Sequence, residues 1–317
     1  VNFCHWCVKD FDLGVADRVA AYANFGFDVH QADLWPALSC GASIYVIPSG
    51  MRMDLPALNE YIGRECLTYS NMTTQIGHLY ATMYPDSCLR LLSLAGEKLP
   101  PVKEPGYRLY NNYGPTEATI YATSLSIEGY YDNDSIGRPL SNYSIYIVDQ
   151  YLNPVPRGVP GELIIAGAGV AGGYLKRPEL TAEKFINYGG ERAYRTGDLA
   201  RWRADGGIDY LGRIDNQVKL RGLRIEFGEI ESKVISYPGI RQTVVDVKEI
   251  GGVKNICCYY TTESGMTVDE GKLQEHLKSS LADYMIPAAY ILLEKMPYNA
   301  NGKVDRKALP VPQVQSA

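Results

Sequence analysis

No stretch of this 317-residue chain approaches the roughly 20 consecutive apolar residues that cross a bilayer, which excludes a helical membrane span. Positive charge is not in excess either. The 31 Lys and Arg stand against 36 Asp and Glu, a formal net charge of −5. Without a basic stripe or a polybasic run, neither a nucleic acid nor a membrane surface is the expected partner. The opening Val1-Asn2-Phe3 lacks a charged n-region and a small-residue cleavage site, so it is not read as a signal peptide but as the middle of a longer sequence. A disulfide framework is missing as well. Seven cysteines, an odd number in a chain of this size, fit a reducing, cytoplasmic compartment. Cys4-His5-Trp6-Cys7 has the C-x-x-C spacing, but no second pair and no H-x3-5-H follow it, so no zinc site is expected. Internal repeats and low-complexity segments are absent.

What remains is the composition of an ordinary globular protein, 46% hydrophobic and 21% charged, long enough for one large or two unequal domains. Three textures succeed one another. Up to about residue 141, helix-like and strand-like segments alternate. A strand-like run at 42–47 ends in Pro48-Ser49-Gly50, a helix is predicted over 55–65, and apolar runs lie at 89–94 and 107–110. This alternation argues for α/β layers on a largely parallel sheet, whose strand-end loops carry the chemistry. From 142 to 214 short strands and turns predominate, with one helix beginning at Pro178, as in a small β-rich subdomain. Beyond that lies α-β-β-α material. A helix is predicted over 227–236, strands at 243–247 and 256–261, and a helix opened by a capping box at 267–270 with Leu273, Leu277 and Leu281 on one face. The expected organisation is a layered α/β core portion with its β-rich part (1–214), a small mobile α+β domain (215–309), and a Pro- and Gln-containing linker (310–317).

Several polar motifs sit at predicted strand ends, and each has a plain alternative. Asn111-Asn112-Tyr113-Gly114-Pro115-Thr116-Glu117 offers backbone N–H groups and a hydroxyl for phosphate, an aromatic face for a base, and a carboxylate for a hard cation. It is equally a Gly-Pro turn with a helix-start Thr. Tyr194-Arg195-Thr196-Gly197-Asp198 places a carboxylate where it can accept from vicinal ribose hydroxyls, or merely satisfy its own turn. Gly167-Ala-Gly169-Val-Ala-Gly172 has dinucleotide-fingerprint spacing, but it runs into Tyr174-Leu-Lys-Arg-Pro178 instead of a helix, so dinucleotide binding is not expected. The charged segment 212–222 marks the shift of texture and suits a hinge or an exposed hairpin. Asn301-Gly302-Lys303 presents a lysine on an ordinary turn.

The order of these motifs is more telling than any one of them. N-x-Y-G-P-T-E, G-E-L-x-I-x-G, Y-R-T-G-D, G-R-x-D-x-Q-V-K-x-R-G, Y-M-I-P and N-G-K-V-D-R follow one another in register. The series resembles the adenylate-forming superfamily and, within it, the adenylation domains of nonribosomal peptide synthetases. The resemblance covers nearly the whole chain, from Phe27-Asp28 onward. It implies coupling of an amino acid to ATP as an aminoacyl-adenylate, then transfer to the phosphopantetheine thiol of a peptidyl carrier domain downstream, with Mg²⁺ assisting. It implies that Glu117 helps to hold Mg²⁺ and that Thr116 contacts phosphate. Tyr113 would stack on adenine, with Asn111 and Gly96 lining the adenine slot, while Asp198 takes the ribose hydroxyls and Arg213 supports ribose or phosphate. Lys303 would bridge the substrate carboxylate and the α-phosphate. Asp215 would be the hinge about which the small domain turns, bringing Lys219 to Gly222 to the site for the second half-reaction.

Asp28, in Gly26-Phe27-Asp28-Val29-His30, resembles the family Asp that pairs with the substrate α-ammonium, although a helix-start carboxylate has the same appearance. His30 stands where Ser is usual. By the same alignment Val29, Ala32, Thr74, Ser93, Ala95, Asn112, Ile120 and Tyr121 form the side-chain pocket. Small residues and no charge there predict a neutral, hydrophobic or aromatic side chain. Gly172 replaces the usual arginine of one motif. The Ser/Thr/Gly-rich phosphate loop that precedes this region in the family is not in the chain. Weak activity of the isolated chain and exposed apolar faces on the first sheet are therefore expected. An acyl- or aryl-CoA ligase of the same superfamily and a non-catalytic remnant are the competing readings.

Overall fold

The computed structural model describes residues 1–214, 218–220, 223–263, 266–298 and 304–312, with residues 218, 219 and 224 described by their backbone alone. It forms two compact units, Val1–Asp215 and Asn216–Ala317.

The first unit opens with α1 (Asn2–Asp10), β1 (Arg18–Ala21), α2 (Val29–Cys40), β2 (Ser43–Val46), α3 (Leu55–Arg64), β3 (Tyr69–Thr73), α4 (Thr74–Met83) and β4 (Leu91–Ala95). After the short β5 (Val102–Lys103) come β6 (Arg108–Tyr113), β7 (Thr123–Ile127), β8 (Tyr130–Tyr131) and β9 (Arg138–Pro139). One seven-stranded sheet results, in the order β2-β1-β3-β4-β6-β7-β9. Its first five members are mutually parallel, β7 runs antiparallel to β6, and β9 runs antiparallel to β7. β4, Leu91-Leu-Ser-Leu-Ala95, has neighbours on both faces and is buried along nearly its whole length, as central parallel strands are. Against one face pack Phe3, Trp6 and Phe11 of the α1 region with Ala32 and Ala37 of α2, meeting Tyr69, Leu91 and Tyr110. Against the other pack Leu55, Leu58 and Ile62 of α3 with Tyr80 and Ala81 of α4, meeting Met72, Leu92, Leu94 and Leu109. α3 shows why the helices form: Asp54 accepts the Ala57 N–H at 3.1 Å as its cap, Pro56 occupies the first turn, and the buried residues recur at helical spacing.

Both faces of this sheet are therefore covered, which corrects the expectation of exposed apolar faces. Exposed apolar groups occur on the edge strand β2, at Val46, on α2, at Trp35 and Leu38, and on loops and helix surfaces such as Phe25, Met53 and Leu79.

The β-rich part consists of β10 (Tyr143–Val148), β11 (Gly161–Gly167), α5 (Pro178–Lys184), β12 (Phe185–Tyr188), β13 (Glu191–Trp202) and β14 (Ile208–Arg213). The strands form one antiparallel sheet, β10-β11-β13-β12, with β14 beside β13. Gly167 and Gly169 open no helix, as the sequence implied. A Cβ at Gly169 would lie 1.7 Å from the Tyr143 hydroxyl, so this glycine leaves room for the Tyr143 side chain.

In the second unit, β15 (Val218–Leu220) and β16 (Leu223–Ile225) form a hairpin, followed by α6 (Phe227–Ile235), β17 (Ile240–Ile250), β18 (Val253–Thr262), α7 (Glu270–Lys278) and β19 (Ala289–Leu292). The third strand of its main sheet, β19, runs parallel to β18 and is an addition to the α-β-β-α reading. Phe227, Ile230 and Val234 of α6 and Leu273 and Leu277 of α7 fill one core, and Leu281 joins it from beyond the helix. The cap of α7 is Asp269, which accepts the Lys272 N–H at 3.1 Å, and not Thr267 of the expected capping box. Pro310, the start of the expected linker, accepts a 2.6 Å hydrogen bond from the Tyr259 hydroxyl on its carbonyl.

Candidate active site

The C-terminal ends of the parallel strands gather the residues singled out from the motifs. Asp28 opens the helix after β1, Thr74 follows β3, Ala95 and Gly96 end β4, and Asn111 to Tyr121 end β6. Since side chains alternate across a strand, Asn111 and Tyr113 leave β6 on one face and Asn112 on the other. Gly114 then lets the chain fold back on itself: a Cβ there would lie 2.4 Å from the Ile120 carbonyl, and the Ala122 N–H closes the loop on the Tyr113 carbonyl at 2.8 Å.

On the Asn111–Tyr113 face the two halves of the unit meet. The Tyr113 hydroxyl donates to Asp198 Oδ2, and Arg213 Nη1 donates to Asp198 Oδ1 at 3.0 Å. Arg213 Nη1 also reaches the Thr196 carbonyl at 2.9 Å. Asp198 is buried, as is Tyr113, whose ring lies 5.9 Å from that of Tyr210. Burial, reinforced by the Asp198 charge, pushes the Tyr113 phenol well above its ordinary pKa, so it stays a donor. Among the described residues each Asp198 oxygen accepts one protein hydrogen bond, and a carboxylate has about four acceptor positions in all. Asn111 Nδ2 is committed to the Ser135 carbonyl at 3.1 Å. Glu162, on β11, explains why two of the motifs travel together. Its carboxylate takes Arg195 Nη2 at 2.6 Å and the Gly197 N–H at 3.3 Å, holding the turn that presents Asp198.

Glu117 lies on the loop after β6, where Thr116 is exposed. Glu117 Oε1 accepts from the Tyr174 hydroxyl at 2.6 Å and the Tyr194 hydroxyl at 2.9 Å, and its carbonyl accepts the Ala171 N–H at 2.9 Å. Burial first, then the hydrogen bonds to Glu117 and Tyr194, drives the Tyr174 phenol upward and keeps it a donor. Among the described residues no three His, Cys, Asp or Glu side chains gather to hold a metal ion. A single oriented carboxylate still fits Mg²⁺, which takes one or two carboxylates together with substrate phosphates.

On the Asn112 face, Val29, Ala32, Ala95, Ile120 and Tyr121 belong to one packed cluster. Ser93 and Asn112 join them by hydrogen bonds: Asn112 Nδ2 to Ser93 Oγ at 2.8 Å, and Ser93 Oγ with the Tyr121 hydroxyl at 3.4 Å. Thr74 is committed elsewhere, its hydroxyl bonding the Glu97 carbonyl at 3.1 Å. Asp28 stands at the helix start, at the N-cap position of α2, and its side chain makes no capping hydrogen bond. His30 is buried with its ring 3.9 Å from that of Phe25.

With this geometry, a profile of the AMP-binding enzyme family matches residues 1–175, and one of the AMP-binding enzyme C-terminal domain matches residues 229–303. The chain belongs to the AMP-binding enzyme family. It is 42% identical over 316 residues to bacitracin synthase 1 of Bacillus licheniformis, spanning 99% of this chain and 6% of that protein. To surfactin synthase subunit 2 of Bacillus subtilis (strain 168) it is 42% identical over 320 residues, 100% of this chain and 9% of that protein. The chain therefore spans under a tenth of either relative. A solved structure of holo-PA1221, a nonribosomal peptide synthetase protein with adenylation and PCP domains, is similar with a TM-score of 0.78 and 28% identity. That match covers 93% of this chain and 53% of the other.

Within this AMP-binding enzyme, sequence reasoning missed five side chains that brace the motif residues: Glu162, Tyr174 and Tyr194, and on the Asn112 face Asn71, which accepts from the Tyr121 hydroxyl at 3.2 Å and donates to Asp33 at 2.7 Å. The first three stand inside motifs that had been noted for other residues, and that adjacency was the available signal. Asn71 and Asp33 carry no local signal. Lys303, Asp215 and Gly222 lie outside the described residues, as does the side chain of Lys219.

Proposed function

We propose that the chain activates an amino acid as its adenylate and passes it to the phosphopantetheine thiol of a carrier protein, as part of nonribosomal peptide synthesis. The observation that carries this reading is the convergence of Tyr113, Asp198 and Arg213, from three segments, beside the loop that bears Glu117. The acceptor positions of Asp198 suit vicinal ribose hydroxyls, Arg213 holds the carboxylate in orientation, and Asn111, Tyr113 and Gly96 border the base. In the first half-reaction a substrate carboxylate oxygen attacks the α-phosphorus of ATP, the bond to the pyrophosphate oxygen breaks, and pyrophosphate leaves. Catalysis of this kind is mainly positioning and charge stabilisation. Thr116, exposed on its loop, is placed to meet phosphate, and Lys303 supplies the cation between carboxylate and α-phosphate. Mg²⁺, when bound through Glu117, neutralises phosphate charge. In the second half-reaction the carrier thiol displaces AMP from the acyl carbon and loses its proton. The 215–309 lid turns about Asp215 so that the Lys219–Gly222 strip replaces Lys303.

Asp28 defines the substrate class. A carboxylate at the strand ends with no capping bond of its own is suited to an α-ammonium, and acids lacking the amine would leave it unpaired. The deciding measurement is ATP–pyrophosphate exchange on the full-length reading frame that contains this chain, across amino acids and matching acids without the amine. Exchange that depends on one amino acid and disappears in Asp28→Ala and Lys303→Ala is expected. Exchange driven equally well by the deaminated acid, and untouched by Asp28→Ala, would move the chain to the acyl- or aryl-CoA ligases.

A further inference from the structure

All seven cysteines are free thiols, and the two exposed ones, Cys66 and Cys88, come together at one corner of the first unit. Cys66 follows the C-cap of α3, Glu65, and has the left-handed conformation (φ 51°) of a position usually filled by glycine. It closes the last turn of that helix: the Cys66 N–H donates to the Gly63 carbonyl at 3.2 Å and the Leu67 N–H to the Ile62 carbonyl at 2.9 Å. The same two carbonyls receive the two thiols. Cys66 Sγ donates to the Gly63 carbonyl at 3.6 Å, and Cys88 Sγ lies 3.5 Å from the Ile62 carbonyl oxygen and 3.8 Å from that of Leu67. Both sulfurs therefore rest on adjacent groups of one helix end.

The sheet leads to the same juxtaposition by another route. β3 and β4 pair in parallel from Tyr69 with Leu91 to Thr73 with Ala95. Just before that register, the Thr68 carbonyl takes the Arg90 N–H at 2.8 Å and the Leu91 N–H at 3.0 Å. Carried back from Thr68 and Arg90, the register sets Cys66 opposite Cys88. Neighbouring strands run about 4.8 Å apart, and a disulfide joins Cα atoms about 4.4–6.8 Å apart. Partial burial, and next the Cys66 thiol, raise the Cys88 thiol above its ordinary range, as befits the slower member of a close pair.

We propose that Cys66 and Cys88 are a redox-sensitive dithiol, a modification site that a low-molecular-weight disulfide such as oxidised glutathione closes into a staple between the end of α3 and the approach to β4. The Cys66 thiolate attacks one sulfur of the glutathione disulfide and expels the first glutathione thiolate, leaving a mixed disulfide on Cys66. Cys88 then gives its proton to water and attacks Cys66 Sγ, forming the Cys66–Cys88 bond and expelling the second glutathione thiolate. Two cysteine thiols are oxidised and one glutathione disulfide is reduced to two thiols. In a reducing compartment the pair stays open, and it closes when the glutathione pool is oxidised. Both cysteines precede their strands, at the N-terminal ends, whereas the candidate active site lies at the C-terminal ends, five residues of strand away. The staple therefore acts on the stability of the segment between the two cysteines and not on the chemistry.

The test treats the full-length reading frame that contains this chain with oxidised glutathione and maps its peptides without reduction. A peptide pair joined through Cys66 and Cys88 should exceed glutathione adducts at these residues by more than about tenfold, because the second thiol is an intramolecular reactant. Both side chains are exposed, so the serine variants are expected to fold. Cys88→Ser should stop at a glutathione adduct on Cys66, and Cys66→Ser should react more slowly than Cys88→Ser. The urea midpoint of the first unit should rise on oxidation and return with dithiothreitol, and the double variant should show neither change. Separate adducts on both cysteines of the wild type, a Cys66 adduct that never resolves, or no reaction at either residue overturns the pair. A linked protein whose midpoint does not rise overturns the staple.

Discussion

The two faces of β6 divide the site by kind of interaction. On the Asn111–Tyr113 face the groups are charged and already matched: Asp198 with Tyr113 and Arg213, Glu117 with Tyr174 and Tyr194, Glu162 with Arg195. On the Asn112 face the groups hydrogen-bond in a buried line, from Asp33 through Asn71, Tyr121 and Ser93 to Asn112. On the proposed function, the ion-paired face is the nucleotide side and the neutral face the amino-acid side. The alternation of a single strand lets one segment of sequence do both, since neighbouring residues face opposite ways.

If the ion-paired face is pre-organised, breaking it should be the costliest change. Asp198→Ala takes the carboxylate away from Arg213, whose side chain is only 14% exposed, and from the Tyr113 hydroxyl. Removing one partner of a buried pair costs about 3–5 kcal/mol. The urea midpoint of the first unit should fall accordingly, and the ATP requirement for exchange should rise. A midpoint within experimental error of wild type would show that Asp198 is not the anchor of that face. The next effect is smaller and more selective. Tyr174→Phe combined with Tyr194→Phe leaves the Glu117 carboxylate in place without its orienting hydroxyls. Loss of such supporting contacts costs about 10–100-fold in metal affinity or activity. The Mg²⁺ concentration for half-maximal exchange should therefore increase. Lower stability with an unchanged Mg²⁺ requirement would make the tyrosines structural only.

The contrast between the faces also accounts for what the sequence disclosed. The ion-paired face was legible because its residues sit in short motifs with several fixed side chains, and the order of those motifs carries the information. α/β layering, the β-rich part and the α+β unit could be read because hydrophobic spacing and turn residues are local signals, as in α3 with Asp54, Pro56 and its Leu58–Ile62 stripe. Asp33 and Asn71 could not be found that way. They are 38 residues apart and meet only because α2 packs on the strand that carries Asn71. Nothing in either neighbourhood distinguishes a buried Asp from an exposed one. The parallel β19 was missed because its pairing with β18 depends on a crossover through α7.

The mildest way to probe the neutral face is to titrate the far end of its chain. Burial raises the Asp33 carboxyl to about 7, opposed by Asn71, the Tyr22 and Ala23 N–H groups and the Arg52 charge, which are the groups facing it. The folded-state value thus stands above the ordinary carboxylate value of 3.8. Its stabilising share is full below that ordinary value and is lost as pH rises toward about 7, at about 1.4 kcal/mol for each pH unit in between. Asp17 is shifted the other way: burial opposes the change, but Thr68, the Gly14 N–H and Arg90 outweigh it, so its share is lost only as pH falls below the ordinary carboxylate range. The two windows do not overlap. Asp33→Asn cannot titrate and presents an amide to the two backbone donors, a cost that is the same at every pH. Between about pH 5 and about pH 7 the urea midpoint of the wild type should therefore fall relative to Asp33→Asn, and the difference should level off above that range. A difference from Asp33→Asn that stays constant between about pH 5 and about pH 7 would mean that Asp33 is ionised throughout. The polar chain would then be driven by a buried charge, and the neutral face would be a second ion-paired face in disguise.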